Sequence, residues 1–157
     1  MLSDILRDDG LVFIHIFTHK YGNPRSLPVS SNSFCPHRDY PYHFEVKSED
    51  DWMTKFFFQG GQMPSHDLFL FFQRDLILEK RWAVDGRNYA KTSELWLQGM
   101  DAKKAEVLKI FEKCYGKNDA SRWVQRWRMF YLAVAEFFAT NKGSEWLVSH
   151  YLFSKRK

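Results

Sequence analysis

From Ser121 to Phe153 the order of apolar and polar residues is the most informative stretch of the chain. Trp123, Trp127, Phe130, Tyr131, Val134 and Phe138 recur at intervals of three and four, which is one face of an α-helix. Met129, Leu132, Ala133, Ala135 and Phe137 widen that stripe, so the helix is expected to be covered on more than one side. Asn118 or Asp119 can cap its start, and Asn141-Lys142-Gly143 supplies a left-handed stop. Beyond the stop, Trp146 to Phe153 has the aromatic and β-branched content and the short length of a buried strand. Each large side chain buried here stabilises the fold by roughly 1.5–3 kcal/mol. Helix and strand together therefore anchor the core.

Read from its start, the chain opens with Leu2, Ile5 and Leu6, a fragment of amphipathic helix. Asp8-Asp9-Gly10 then turns it into Leu11–Thr18. That run is apolar on both faces, as in a central strand of a parallel sheet. Its outer edge is expected to drive association unless another segment pairs with it. Residues 21–41 break the pattern: Pro24, Pro28, Pro36 and Pro41 alternate with serines and no periodicity survives. An irregular stretch of that length is uncommon inside a domain. Order returns from Tyr42, where Glu49-Asp50-Asp51 leads into an apolar run from Trp52 that Gly60-Gly61 ends. A helix is predicted from Met63 to Gln73, with Ser65 as cap and Asp67 in its first turn. Asp75 to Val84 reads as a strand, and Tyr89, Ser93, Trp96, Met100, Val107, Phe111 and Cys114 as one long amphipathic helix ending near Gly116. Alternation of this kind predicts an α/β layered domain.

Composition narrows the class. The 157 residues fit one domain, and an aromatic content of 18% leaves no shortage of core material. The net charge of +4 is mild and gathers at Lys155-Arg156-Lys157, a solvated tail. Cys35 and Cys114 form no metal or redox spacing. No apolar run is long enough to span a bilayer, and Asp4, Asp8 and Asp9 interrupt the amino end where a signal peptide would be apolar. A cytoplasmic protein is the expectation.

Chemistry is sparse by spacing alone. The chain has no G-x-G-x-x-G, no P-loop, no G-x-S-x-G and no H-E-x-x-H. His15 and His19 are four apart on a strand and can share a face, yet two histidines without a third ligand make no metal site. His15 alone reads equally as a hydrogen-bonded core histidine. Tyr89 reads as a helix-start aromatic with its hydroxyl in water, and Glu136 as either an exposed helix edge or a buried, paired carboxylate. Arg122, Arg126 and Arg128 lie beside Trp123 and Trp127, but those tryptophans are committed to the core face, so nucleic acid is not an expected partner.

Several ordered motifs carry a resemblance. They are His-Ile-Phe-Thr-His-Lys at 15–20, Tyr-His-Phe-Glu at 42–45, Asp-Asp-Trp at 50–52 and Phe-Phe-x-Gly-Gly-x-Met-Pro-Ser-x-Asp-Leu at 57–68. Trp-x-Val-x-Gly-x-x-Tyr-Ala-x-Thr-Ser-Glu-x-Trp at 82–96, Trp-Arg-x-Phe at 127–130 and Gly-x-Glu-Trp-x-Val-x-His-Tyr-Leu-Phe at 143–153 complete the series. The chain resembles the carboxy-terminal part of the S-adenosylmethionine-dependent methyltransferases related to cyclopropane-fatty-acyl-phospholipid synthase, in the branch similar to coclaurine N-methyltransferase. The likeness covers residues 1–157 as a partial methyltransferase domain, with 21–41 as an irregular Pro/Ser-rich insertion. Relatives run from His-Lys almost directly into Tyr-His-Phe-Glu, so Tyr21–Arg38 is expected to be either translated intervening sequence or a loop particular to this lineage.

The resemblance implies the carboxy-terminal half of a Rossmann-like class I methyltransferase fold. Leu11–Thr18, Leu76–Val84 and Trp146–Phe153 would be its last three strands, the final one antiparallel and inserted beside its predecessor. It further implies S-adenosylmethionine as the family cofactor. The glycine-rich turn and acidic residue that hold it belong to the first half of the fold, so no cofactor-binding residue is expected on this chain. Carried over by position, His15 and Tyr89 resemble two pocket residues that in cyclopropane synthases help hold a bicarbonate base. Phe17 stands where relatives have a smaller aliphatic residue making a backbone contact. Phe17, Phe57, Phe58, Met63 and Phe69 would wall the acceptor pocket, and the acceptor would be a small-molecule amine or a lipid alkene. Pairing with the missing half, or self-association, is implied, and the isolated chain is expected to be inactive. The other reading is a non-catalytic remnant or interaction protein.

Overall fold

The structure is a computed structural model that describes residues 2–20, 42–49 and 51–156. The Pro/Ser-rich insertion lies outside the described residues. In chain order the elements are α1 (Leu2–Ile5), β1 (Leu11–His19), β2 (Tyr42–His43), α2 (Trp52–Phe56), β3 (Gln62–Met63), a 3-10 turn (Leu68–Phe71), β4 (Leu76–Val84), α3 (Gly86–Ala102), α4 (Lys104–Tyr115), α5 (Lys117–Gly143) and β5 (Trp146–Lys155). They form two units: Met1–Asp85 with Ser144–Lys157, and Gly86–Gly143.

The first unit is built on a three-stranded sheet of order β1-β5-β4, in which β5 runs antiparallel to both neighbours. The last strand is thus inserted between the two earlier ones, as the resemblance implies. Side chains alternate across β5. Leu147, Ser149, Tyr151 and Phe153 are buried on one face, and Tyr151 and Ser149 are fully enclosed. That face is covered by the stretch after β3: Phe69 meets Tyr151 edge-on at 4.9 Å and Phe153 at 6.3 Å. A two-stranded hairpin, Tyr42–His43 against Gln62–Met63, closes on Met63, which is 6% exposed.

In the second unit α5 packs against α3 and α4. Ala120, Val124, Val134, Ala135 and Phe138 are its buried residues below the stop, and Trp123, Trp127, Phe130 and Tyr131 flank them half-buried. The helix stops where expected: Asn141, Lys142 and Gly143 have φ of 51°, 57° and 76°.

Four expectations are corrected. Met63–Gln73 is not an α-helix. Ser65 is fully buried and bridges β1 at His19, and the Asp67 carboxylate accepts from Arg81 rather than capping, so only the 3-10 turn forms. The long helix from Tyr89 to Cys114 is two helices, broken at Lys103 (φ −109°, ψ 26°); Gly99 weakens the end of α3 and Asp101 is drawn to Arg128 at 2.9 Å. Asn118 and Asp119 lie inside α5, and Asp119 binds Arg122 at 2.8 Å instead of capping. Met129, Leu132 and Phe137 are about half exposed, so α5 is covered along one stripe. Within the described residues β1 has β5 as its antiparallel neighbour, and Leu11 and Phe13 are 59% and 57% exposed.

Candidate functional site

The other face of the sheet carries the chemistry. His15 and His150 are directly opposed in the β1–β5 register, and Lys20 donating to Glu145 O (2.8 Å) shows that even-numbered β1 residues make the ladder bonds. His15 and His150 therefore form a non-hydrogen-bonded pair, where side chains come closest. His15 Nδ1 and His150 Nε2 lie 2.8 Å apart, with ring centroids at 4.8 Å. Two imidazole nitrogens at that distance share one proton, one donating and the other accepting. Phe13 stands 5.2 Å from the His150 ring, and Trp82, 43% exposed, is opposite His150 on β4. His15 is exposed rather than a core histidine. His19, fully buried beside Trp146, is not available to it as a co-ligand.

Aromatic residues extend this face past Phe17. Phe17 meets Phe58 edge-on at 6.2 Å, and Phe58 stacks on Phe44 at 4.7 Å. Phe57 turns instead toward Trp52 at 6.0 Å. Their helix α2 is held at its start by Asp51, whose carboxylate accepts from the Lys47 and Ser48 N–H groups at 2.8 Å and is held below the usual carboxylate range by those bonds. Met63 is buried in the hairpin, and Phe69 lies on the opposite face of the sheet from His15. Tyr89 belongs to the helical unit. It is half-buried, edge-on to Phe138 at 4.6 Å and Trp96 at 6.0 Å. Burial raises its pKa, with a smaller push from Tyr131, so its hydroxyl stays protonated and is a donor rather than a base.

A second polar cluster lies on the buried face. Ser149 Oγ sits 2.5 Å from Thr18 Oγ1 and 2.7 Å from His66 Nδ1, and Tyr151 Oη donates to His66 O at 2.8 Å. Burial, aided by the nearby Arg81 charge, lowers the His66 pKa. Thr18 and Ser149 have no exposed surface, so this cluster fastens the Ser65–Leu68 stretch to the sheet and offers nothing to a substrate. An open recess of about 620 Å³ at the carboxyl end of β5 is also spoken for. The Asp8–Lys155 ion pair and the Ser154–Glu79 bond engage four of the residues that line it.

Among the described residues no three His, Cys, Asp or Glu side chains converge as metal ligands, and no helix is long and apolar enough to cross a membrane. β4 is followed by one glycine, Gly86, buried in the first turn of α3. A lone glycine there does not amount to the glycine-rich cofactor turn.

The geometry agrees with known proteins. The structure of a cyclopropane synthase from Mycobacterium tuberculosis aligns with 98% of the chain at a TM-score of 0.61 and 19% identity, which places the chain in the class I methyltransferase fold. Coclaurine N-methyltransferase bound to N-methylheliamine and SAH aligns with 98% of the chain and 40% of its own, at 32% identity and a TM-score of 0.77. (S)-Coclaurine N-methyltransferase of Thalictrum flavum subsp. glaucum is 36% identical over 124 residues, which are 76% of this chain and 34% of that protein. Its counterpart in Papaver somniferum is 28% identical over 158 residues, 99% of this chain and 40% of that one. No protein-family model matches the chain. The chain is homologous to the carboxy-terminal part of the coclaurine and pavine N-methyltransferases, and it spans about a third to two fifths of their length.

His150 escaped the sequence reading because nothing in its own neighbourhood marks it. Its partner is 135 residues away, and only the register joins them.

Proposed function

We propose that this chain supplies the acceptor side of a methyl transfer to an amine, without the residues that hold the methyl donor. The observation that carries this reading is the His15–His150 pair on an open aromatic face of the sheet. S-adenosylmethionine supplies an electrophilic methyl group in this family. The described residues do not fit it, so the chain's contribution is to the acceptor. Phe17 and Phe58 offer ring edges and faces to the apolar body of an amine. The outer nitrogen of whichever ring donates within the pair keeps a free lone pair and accepts the amine N–H proton, and the second ring, accepting the inter-ring hydrogen bond, shares the resulting positive charge. The names of the N-methyltransferase relatives favour an amine over a lipid alkene. Tyr89 is assigned the role of a hydrogen-bond donor on the family resemblance alone.

The reading predicts that the isolated chain binds a cyclic secondary amine but not S-adenosylmethionine. Imidazole resonances of His15 and His150 should move on titration with coclaurine, and calorimetry with S-adenosylmethionine should show no complex. Unmoved imidazoles would sink the acceptor assignment. A specific complex with S-adenosylmethionine would sink the division between donor and acceptor sides.

A further inference from the structure

A third strand extends the His15–His150 row. Trp82 on β4 is directly opposite His150, so Trp82, His150 and His15 stand side by side across β4, β5 and β1 on one face. Even-numbered β1 residues make the β1–β5 ladder, so the N–H and C=O groups of His150 point toward β4. Trp82 and His150 therefore form a hydrogen-bonded pair, with Cα atoms about 5.5 Å apart. Trp82 thus flanks His150 on the side away from His15, while Phe13 flanks the same imidazole from β1 at 5.2 Å. These residues all lie in described strands, and their places follow from strand register, not from how open the face is. Other aromatic side chains of this unit are taken up by neighbours, Phe17 by Phe58 and Trp52 by Phe57. Trp82 differs. It is 43% exposed, and among the described residues no ring contact, hydrogen bond or ion pair engages its indole.

We propose that Trp82 is the specificity-determining residue of the acceptor site, holding the protonated amine by cation–π contact while the His15–His150 pair removes a proton from it. This role rests on the acceptor reading above and adds to it the ionic form in which the amine is taken up. An indole face is the strongest aromatic partner for an organic cation. A secondary aliphatic amine is such a cation at neutral pH, protonated like a lysine side chain. With its nitrogen over Trp82 it holds an N–H toward the imidazole pair on the neighbouring strands. The proton passes from the ammonium nitrogen to the outer nitrogen of the donating imidazole. The N–H electron pair stays on the amine as its lone pair, and the positive charge moves to the two rings. Lys80, on the next row of the same face, is exposed, so water screens its charge and the direct contact with Trp82 decides.

Three probes, titrated by NMR into the full chain at neutral pH, test this role. They are coclaurine, its quaternary N,N-dimethyl derivative, whose charge no base can remove, and its uncharged N-acetyl amide. The Trp82 indole resonance should move with both cations. Trp82→Leu should weaken each cation roughly 3- to 30-fold, with Trp82→Phe in between, and should change the affinity for the amide less than about twofold. If Trp82→Leu alters the melting profile, Trp82→Phe, which keeps a ring, carries the comparison: it should lose affinity for the cations and none for the amide. Equal loss on all three probes makes Trp82 a structural residue and overturns the proposal, as does cation binding indifferent to both variants. The imidazole resonances separate the two levels of the reading. Imidazoles that move with coclaurine while the Trp82 variants bind every probe like the native chain sink the role of Trp82 alone. Imidazoles that coclaurine leaves unmoved sink the acceptor reading, and the role of Trp82 with it.

Discussion

Replacing Ser149 by alanine tests how the buried face is held together. The hydroxyl is fully enclosed and joins Thr18 Oγ1 at 2.5 Å to His66 Nδ1 at 2.7 Å. Its loss removes two hydrogen bonds but leaves unequal orphans. Thr18 has no exposed surface, so its hydroxyl cannot turn to water and costs roughly 1–3 kcal/mol. His66 is half-buried, water can replace its partner, and the net loss there is about 1 kcal/mol. The sum is a destabilisation of about 2–4 kcal/mol, which for a chain of this length lowers the Tm by roughly 5–15 °C. Urea unfolding of Ser149→Ala, Thr18→Val and the double variant separates the contributions. Thr18→Val removes the stranded hydroxyl, so in the Ser149→Ala background it should recover about 1–2 kcal/mol. A Ser149→Ala cost below about 0.5 kcal/mol, or strict additivity of the two changes, would refute the reasoning.

Other expectations follow from the same geometry. The folded-state pKa of His66 is lowered, first by burial and then by Arg81, so its contribution is complete above the unfolded value near 6.5 and is lost as pH falls below it. Unfolding free energies measured from neutral to mildly acid pH should therefore fall more steeply for the native chain than for His66→Asn; parallel curves would contradict this. Gly116 joins α4 to α5 at φ 84° and ψ 155°, where a side chain is strained, so Gly116→Ala should lose about 1–3 kcal/mol. Gly99, inside α3 with open space around it, should gain roughly 0.5–1 kcal/mol as alanine, and thermal melts of the pair check both signs. Deleting Tyr21–Arg38 should leave the cooperative unfolding transition in place, because that block offers little apolar surface to bury. Loss of the transition would make it a working part of the fold.

What the sequence made legible was local. The α5 periodicity, the Asn141-Lys142-Gly143 stop and the apolar run of β5 depend on residues close in the chain, and all three form as read. Misreadings arose where a local signal was taken up by a distant partner. Ser65 and Asp67 look like a helix start, but one is spent against β1 and the other on Arg81. The same holds at the site. His15 could be singled out from its strand, whereas His150, one residue of an aromatic run, acquires meaning only from the β1–β5 register. Ser149 was one more small residue in a core strand until Thr18 and His66 closed on it.

The central claim is that the His15–His150 pair serves the acceptor side of a methyl transfer. It is tested most directly by restoring the donor side in trans. The chain would be mixed with the amino-terminal part of coclaurine N-methyltransferase, and transfer of a labelled methyl group from S-adenosylmethionine to coclaurine followed across pH. The account predicts no transfer by the chain alone and measurable transfer by the mixture. His15→Ala or His150→Ala should reduce the rate by about 10²–10⁴-fold without changing the melting profile of the chain. Transfer that is restored and indifferent to both histidines would contradict it.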